Sequence, residues 1–211
     1  QVVAIDLAGH GDSGANRVEW SMANFGTDVA AVADALQLED IILVGHSMGG
    51  PVALEATRLL KGRVNMVIGA DTLGDVSLRY TDEQRAGMLA AMGADFSGTV
   101  ESLVRGSFFL PTSDPALIDQ IASDMSAAPA TAGIGAFGGF ARWFNEEVEQ
   151  TLADIDVPIR LINSDYRPTN VGAGQALTTS FEAVLMSGVG HFVMQEDPAQ
   201  FNVIMAELLN H

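Results

Sequence analysis

The stretch Val44-Gly45-His46-Ser47-Met48-Gly49-Gly50 decides the fold that this sequence predicts. It joins an apolar run at Asp40–Val44, typical of a buried strand, to a helical pattern at Met48–Leu60. A serine at such a turn fits G-x-S-x-G, in which small neighbours allow a tight turn that lifts the hydroxyl above the sheet. A nucleotide-binding turn would need G-x-G-x-x-G or a P-loop lysine here, and the stretch has neither. The pattern therefore predicts an activated serine, Ser47.

The segments around this turn alternate between strands and helices. A helix is predicted from Ser21, a plausible N-cap, to Leu36, and a closing helix spans Asp197–Asn210. The predicted strands are Gln1–Ile5, Asp40–Val44, Val64–Ile68, Val157–Ile162 and Phe181–Met186. This alternation predicts an α/β fold, a mostly parallel sheet covered by helices on both faces.

The middle of the chain breaks the alternation. Between about Val76 and Gln150 we find helical patterns and no convincing strand. We therefore expect an all-helical insertion between two strands of the sheet.

A second signal follows the last predicted strand, in Gly188-Val189-Gly190-His191-Phe192. Because the carboxyl ends of parallel strands meet at one edge of a sheet, His191 is expected near Ser47, where it can act as the base. Two aspartates could serve as the orienting acid. Asp165 follows the Val157–Ile162 strand and precedes His191 by about one helix-plus-strand unit, so we prefer it. Asp71, at the end of the Val64–Ile68 strand, is the alternative acid.

These residue types predict a covalent mechanism. Neutral His191 would take the proton of Ser47 as the serine attacks a carbonyl carbon, and would then give it to the leaving group. The helix after the serine directs its N–H groups and positive end at the site, which makes the Met48 N–H the natural oxyanion donor. The histidines are scattered and the carboxylates lack metal-binding spacing, so we expect no metal and no cofactor.

The amino-acid composition limits the classes of molecule that this protein can bind. The 211-residue chain carries 27 acidic and 10 basic residues, a formal charge of −17, and no cysteine. Such a field repels nucleic acid and anionic membrane surfaces, and no apolar run approaches the roughly 20 residues of a membrane span. We expect a soluble protein that acts on a small molecule. Its compartment is open, with the cytoplasm preferred.

Three motifs together resemble the α/β-hydrolase superfamily over nearly the whole chain. They are the serine turn, the loop Asp6-Leu7-Ala8-Gly9-His10-Gly11-Asp12-Ser13, and the run from Gly190 to Phe201 with Glu196-Asp197-Pro198. The resemblance is nearest to small microbial esterases with a helical cap, and it implies that residues 71–156 form such a cap, inserted into a core made of residues 1–70 and 157–211. It implies a serine esterase that cleaves small to medium carboxylic esters. The alternatives are hydrolysis of lactones or carbon–carbon bonds by the same triad, and a slow or non-catalytic ligand-binding scaffold.

The resemblance also assigns structural roles to several residues. His10 and Asp6 would hold the loop, His46 would point away from the site, and His211 ends the chain. An acyl pocket could be lined by Trp20, Met48, Phe108, Phe137, Trp143 and Phe192, although core packing is the better interpretation for most of them.

The sequence departs from the family pattern in two places. Ser164 stands where the family has a glycine, and Arg167 stands where the family places its acid. In addition, the motifs belong to strands 4 to 8 of the family sheet, so strands 1 to 3 and the second oxyanion donor are missing. We expect an N-terminal segment or a second chain to complete the sheet beside Gln1–Ile5.

Overall fold

The computed structural model describes residues 1–210, and its sheet has four strands. They are β1 (Ile41–His46), β2 (Val64–Ala70), β3 (Ile159–Ser164) and β4 (Phe181–Met186). All neighbours run parallel in the order β1-β2-β3-β4, and the register pairs Gly45 with Gly69 and Ile162 with Val184. The predicted fold class, a parallel sheet with flanking helices, is confirmed.

Ten α-helices surround the sheet in the described chain. They are α1 (Met22–Ala35), α2 (Gly49–Leu59), α3 (Asp82–Ala94), α4 (Phe96–Ser107), α5 (Pro115–Ser126), α6 (Ala130–Arg142), α7 (Val148–Ala153), α8 (Val171–Gln175), α9 (Val193–Glu196) and α10 (Pro198–Leu209). A π-helical turn, Trp143–Glu147, joins α6 to α7. Within residues 1–210, no helix combines the length and the apolar character needed to cross a membrane. His211 lies outside the described residues.

Side-chain hydrogen bonds at the N-cap positions determine where helices begin. Ser21 is the N-cap of α1, and its side chain accepts a hydrogen bond from the Asn24 N–H, as predicted. Thr81 is the N-cap of α3 and forms a capping box, because its side chain accepts the Gln84 N–H and the Gln84 side chain accepts the Thr81 N–H. These bonds satisfy N–H groups that a helix leaves without partners at its start.

The predicted strand at Gln1–Ile5 is wrong. Residues 1–6 have no strand assignment, and Val2 is 95% exposed. They do not pair with β1, which bonds to β2 on one side and has no neighbour on its other side among the described residues. An apolar pattern becomes a strand only where a neighbour accepts its backbone hydrogen bonds. That another segment or chain completes the sheet stays a prediction.

The helices between β2 and β3, which we call the helical insertion, pack in two parts. Helices α3, α4 and α5 share a small apolar cluster with the segment between α4 and α5, including Met92, Val104, Phe109 and Ile121. The second part, from α6 to α7, contributes side chains such as Trp143 to the main core, and α6 also packs Ile134 and Phe137 against the first cluster. The all-helical character is as expected, and the boundary of a separate cap at residues 71–156 stays a prediction.

A buried carboxylate joins the helical insertion to α2. Glu55 is 3% exposed, and its side chain accepts hydrogen bonds from Trp143 Nε1 at 2.7 Å and from Thr151 Oγ1 at 2.6 Å. Arg58 Nη1 donates to its other oxygen at 3.0 Å. A buried carboxylate is tolerated only where such partners replace water. Glu55 therefore fixes the helix that follows Ser47 against the insertion.

We expect Glu55→Ala to lower the free energy of unfolding by about 2–3 kcal/mol, because it leaves the Trp143 N–H buried without an acceptor and leaves the Thr151 hydroxyl only the Glu147 carbonyl. Urea denaturation at neutral pH measures this loss. The matched control is Glu149→Ala, which removes an exposed carboxylate paired with Arg79 and should cost less than about 1 kcal/mol. Equal losses in the two variants would contradict the assignment.

Candidate active site

Four polar residues follow the four strands at one edge of the sheet. Ser47 follows β1, Asp71 follows β2, Asp165 follows β3, and the loop with His191 follows β4. Because the strands are parallel, their carboxyl ends meet at this edge, where such folds build their sites.

Ser47 lies on a strained turn between β1 and α2. Its φ of 51° is in the left-handed region, which a residue with a side chain rarely adopts. The turn is held from β2, because the Ser47 N–H donates to the Ala70 carbonyl at 3.1 Å and Thr72 Oγ1 donates to the Ser47 carbonyl at 2.6 Å. Strain that the surroundings enforce is typical of functional positions. Met48 is the N-cap of α2, so its N–H belongs to the group without partners inside the helix.

The glycines around Ser47 have different roles. A Cβ atom on Gly45 would lie 2.1 Å from the Gly49 carbonyl oxygen, and one on Gly50 would lie 2.3 Å from Thr72 Oγ1. A Cβ atom on Gly49 would meet open space. The tight turn therefore requires glycine at 45 and 50, whereas steric crowding does not require it at 49, the second glycine of the motif.

His191 is paired with Asp71. The His191 Nδ1 and Asp71 Oδ2 atoms are 2.5 Å apart, and both side chains are largely buried, at 16% and 18% exposure. The second carboxylate oxygen, Oδ1, accepts the Ser164 N–H at 2.8 Å. Asp71 also has a left-handed φ, 40°, which turns its side chain out of the line of β2. This carboxylate fixes the imidazole with Nδ1 protonated and leaves Nε2 as the basic atom.

The preference for Asp165 over Asp71 as the partner of His191 is corrected by this geometry. The Asp165 N–H still bonds the Met186 carbonyl of β4, and its Oδ2 accepts the Ser187 hydroxyl at 2.5 Å. The loop after β4 then crosses the end of β3, where Ser164 Oγ donates to the Val189 carbonyl at 2.6 Å. This crossing carries His191 past Asp165 to the end of β2, where it pairs with Asp71.

His46 does not point away from the site. Its Nε2 donates to the His191 carbonyl at 2.9 Å, and the centres of the two rings are 4.6 Å apart. The pKa of His46 is lowered from 6.5 to about 4, first by burial and second by the nearby His191 ring. His46 is therefore neutral at physiological pH and acts as a hydrogen-bond donor to the loop that carries His191.

This lowered pKa predicts a loss of stability in mild acid. The unfolded chain protonates His46 below about pH 6.5 and the folded chain does not, so unfolding gains a proton and becomes easier as the pH falls. Between pH 7 and pH 5 we expect the wild type to lose about 2 kcal/mol more unfolding free energy than His46→Gln, which keeps an N–H donor and does not titrate. Urea titrations at both pH values measure the difference, and identical losses would contradict it.

Two buried polar residues at the site, Asn163 and Thr72, are not predicted from the sequence. Asn163 is 2% exposed, and its side chain accepts the Thr72 N–H at 3.1 Å and donates to the Thr72 carbonyl at 3.0 Å. It thus holds the turn that begins at Asp71, while Thr72 bonds the Ser47 carbonyl. The available signal was an asparagine inside the apolar strand β3, since buried polar side chains need specific partners.

Of the aromatic residues suggested for an acyl pocket, two lie beside His191 and the others pack elsewhere. The rings of Phe108 and Phe192 lie 4.6 and 5.3 Å from the His191 ring, centre to centre. Trp143 is fully buried and bonded to Glu55, so it belongs to the core. Phe137 packs on Tyr80, and Trp20 packs on Phe25.

Asp6 holds its own loop, as expected, because its carboxylate accepts the Asp12 N–H at 3.0 Å.

A strained serine at a strand-to-helix turn, with a paired histidine and carboxylate at the same sheet edge, is the arrangement of α/β-hydrolases. The model of the alpha/beta hydrolase family matches residues 1–203, and the chain belongs to this family.

Named relatives have different activities. The chain is 24% identical to 3-oxoadipate enol-lactonase 2 of Acinetobacter baylyi over 207 residues, covering 95% of the chain and 75% of the relative. It is 32% identical to a non-heme chloroperoxidase of Streptomyces lividans over 178 residues, covering 75% and 61%. Among solved structures, a thermophilic esterase from Thermogutta terrifontis superposes with a TM-score of 0.81 at 20% identity, covering 97% and 77%. The last similarity supports the fold alone.

Proposed function

We propose that this hydrolase cleaves small to medium, uncharged carboxylic esters through an acyl-enzyme on Ser47, with His191 as the base and Asp71 as the orienting acid. The observation that carries the proposal is the 2.5 Å pair between His191 Nδ1 and Asp71 Oδ2 at the same sheet edge as the strained Ser47 turn. Asp165, paired with Ser187, has no role in this mechanism.

The steps follow from these groups. His191 Nε2 removes the proton of Ser47 as the hydroxyl oxygen attacks the ester carbonyl, and Asp71 stabilises the imidazolium that forms. The Met48 N–H, at the positive end of α2, binds the developing oxyanion. His191 then protonates the leaving alcohol, and water repeats the sequence on the acyl-enzyme to release the acid.

A lactone is the second candidate substrate, because a lactone is a cyclic ester and a named relative is an enol-lactonase. The same serine, histidine and carboxylate would serve both reactions. The strongly negative charge of the chain, −17, disfavours anionic substrates of either class.

The first test is intact-mass analysis after treatment with a fluorophosphonate. We expect one phosphonyl adduct on the wild type and none on Ser47→Ala, because only an activated serine reacts. The matched control is Ser126→Ala, which removes a serine at the end of α5 and should keep the adduct. Ser47→Ala should also lower hydrolysis of short-chain aryl esters by at least about 10⁴-fold.

Comparing kcat/KM for an aryl ester and for a simple lactone then separates the two substrate classes. A folded wild type that forms no adduct and turns over neither substrate would contradict the proposal. Ligand binding of unchanged affinity in Ser47→Ala, without turnover in the wild type, would favour a binding scaffold instead.

A further inference from the structure

The half-buried carboxylate of Glu196 holds the backbone on both sides of His191. Glu196 lies at the end of the short helix α9, and its Oε1 accepts the Gly190 N–H at 2.9 Å and the Phe192 N–H at 3.3 Å. These are the peptide groups immediately before and after the histidine. One carboxylate oxygen thus fixes the loop from which the imidazole projects.

The other oxygen of Glu196 reaches the helical insertion. Its Oε2 accepts the Ser113 hydroxyl at 2.5 Å, and Ser113 Oγ in turn accepts the Leu110 N–H at 3.1 Å. The same segment bonds the histidine directly, because the His191 N–H donates to the Phe108 carbonyl at 2.7 Å. Residues 108–113, between α4 and α5, are therefore bonded to the histidine loop both directly and through Glu196.

We propose that Glu196 is a positioning residue, which couples the helical insertion to the placement of His191. The Nδ1 side of the imidazole is fixed by Asp71, whereas the height of the ring above the sheet depends on the backbone at 190–192. Charge-assisted hydrogen bonds to a carboxylate are stronger than those between neutral groups, so one side chain can hold this short segment. Where a catalytic group is displaced by about 1 Å, rates fall by about 10²-fold. The kinetic part of this inference rests on the proposed function.

The test compares four variants by their rate of phosphonylation with a fluorophosphonate and by proton NMR of the His191–Asp71 hydrogen bond. We expect Glu196→Ala to react about 10–100-fold more slowly than the wild type. Glu196→Gln should recover to within about fivefold, because its amide oxygen can accept both N–H groups and its amide nitrogen can donate to Ser113. Ser113→Ala should show a smaller loss than Glu196→Ala, since both N–H bonds remain.

The matched control is Asp197→Ala, which removes the neighbouring carboxylate that caps α10 by accepting the Gln200 N–H. It should destabilise the fold by about 1 kcal/mol and keep the wild-type rate. Circular dichroism checks that each variant is folded at the assay temperature.

The NMR readout separates the two proposals. The downfield His191 proton should broaden or disappear in Glu196→Ala and persist in Glu196→Gln and Asp197→Ala. If the wild type does not react with the fluorophosphonate, the proposed function fails, and this resonance still decides the role of Glu196. An unchanged resonance and rate in Glu196→Ala, or losses in Asp197→Ala as large as in Glu196→Ala, would overturn the inference.

Discussion

The hydrogen bond between His191 and Asp71 is the interaction on which the arrangement of the site depends. It joins a residue after β4 to a residue after β2, so the chain must cross the end of β3 to make it. Ser164, the last residue of β3, serves this crossing twice: its N–H holds the Asp71 carboxylate and its hydroxyl holds the Val189 carbonyl. Ser164 thus has a structural role in this chain.

Other polar residues at this edge of the sheet keep the His191–Asp71 hydrogen bond in place. Asn163 and Thr72 fix the turn after β2, and Thr72 also bonds the backbone of the serine turn. His46 bonds the histidine loop from β1, and its lowered pKa keeps it an uncharged donor beside His191. These neutral contacts position the site without adding a competing charge. Among residues 1–210, Asp71 is the only acid bonded to the His191 ring, which agrees with its proposed role as the single orienting carboxylate.

The sequence was most informative where structure depends on neighbouring residues. The N-cap at Ser21 and the turn at Ser47 were predicted because capping bonds and tight turns involve residues a few positions apart. The strand at Gln1–Ile5 was wrong because a strand needs a partner that the local pattern cannot supply. Spacing favours Asp165 for a similar reason, since distance along the chain cannot show that the loop after β4 passes over β3.

The most direct test of the account compares the phosphonylation rates of Asp71→Asn and Asp165→Asn. Both changes keep the shape of the side chain and remove its charge. If Asp71 orients His191, Asp71→Asn should react about 10³–10⁴-fold more slowly than the wild type, because an amide favours the wrong imidazole tautomer, and Asp165→Asn should stay within about threefold. A large loss in Asp165→Asn with a near wild-type rate in Asp71→Asn would contradict the account.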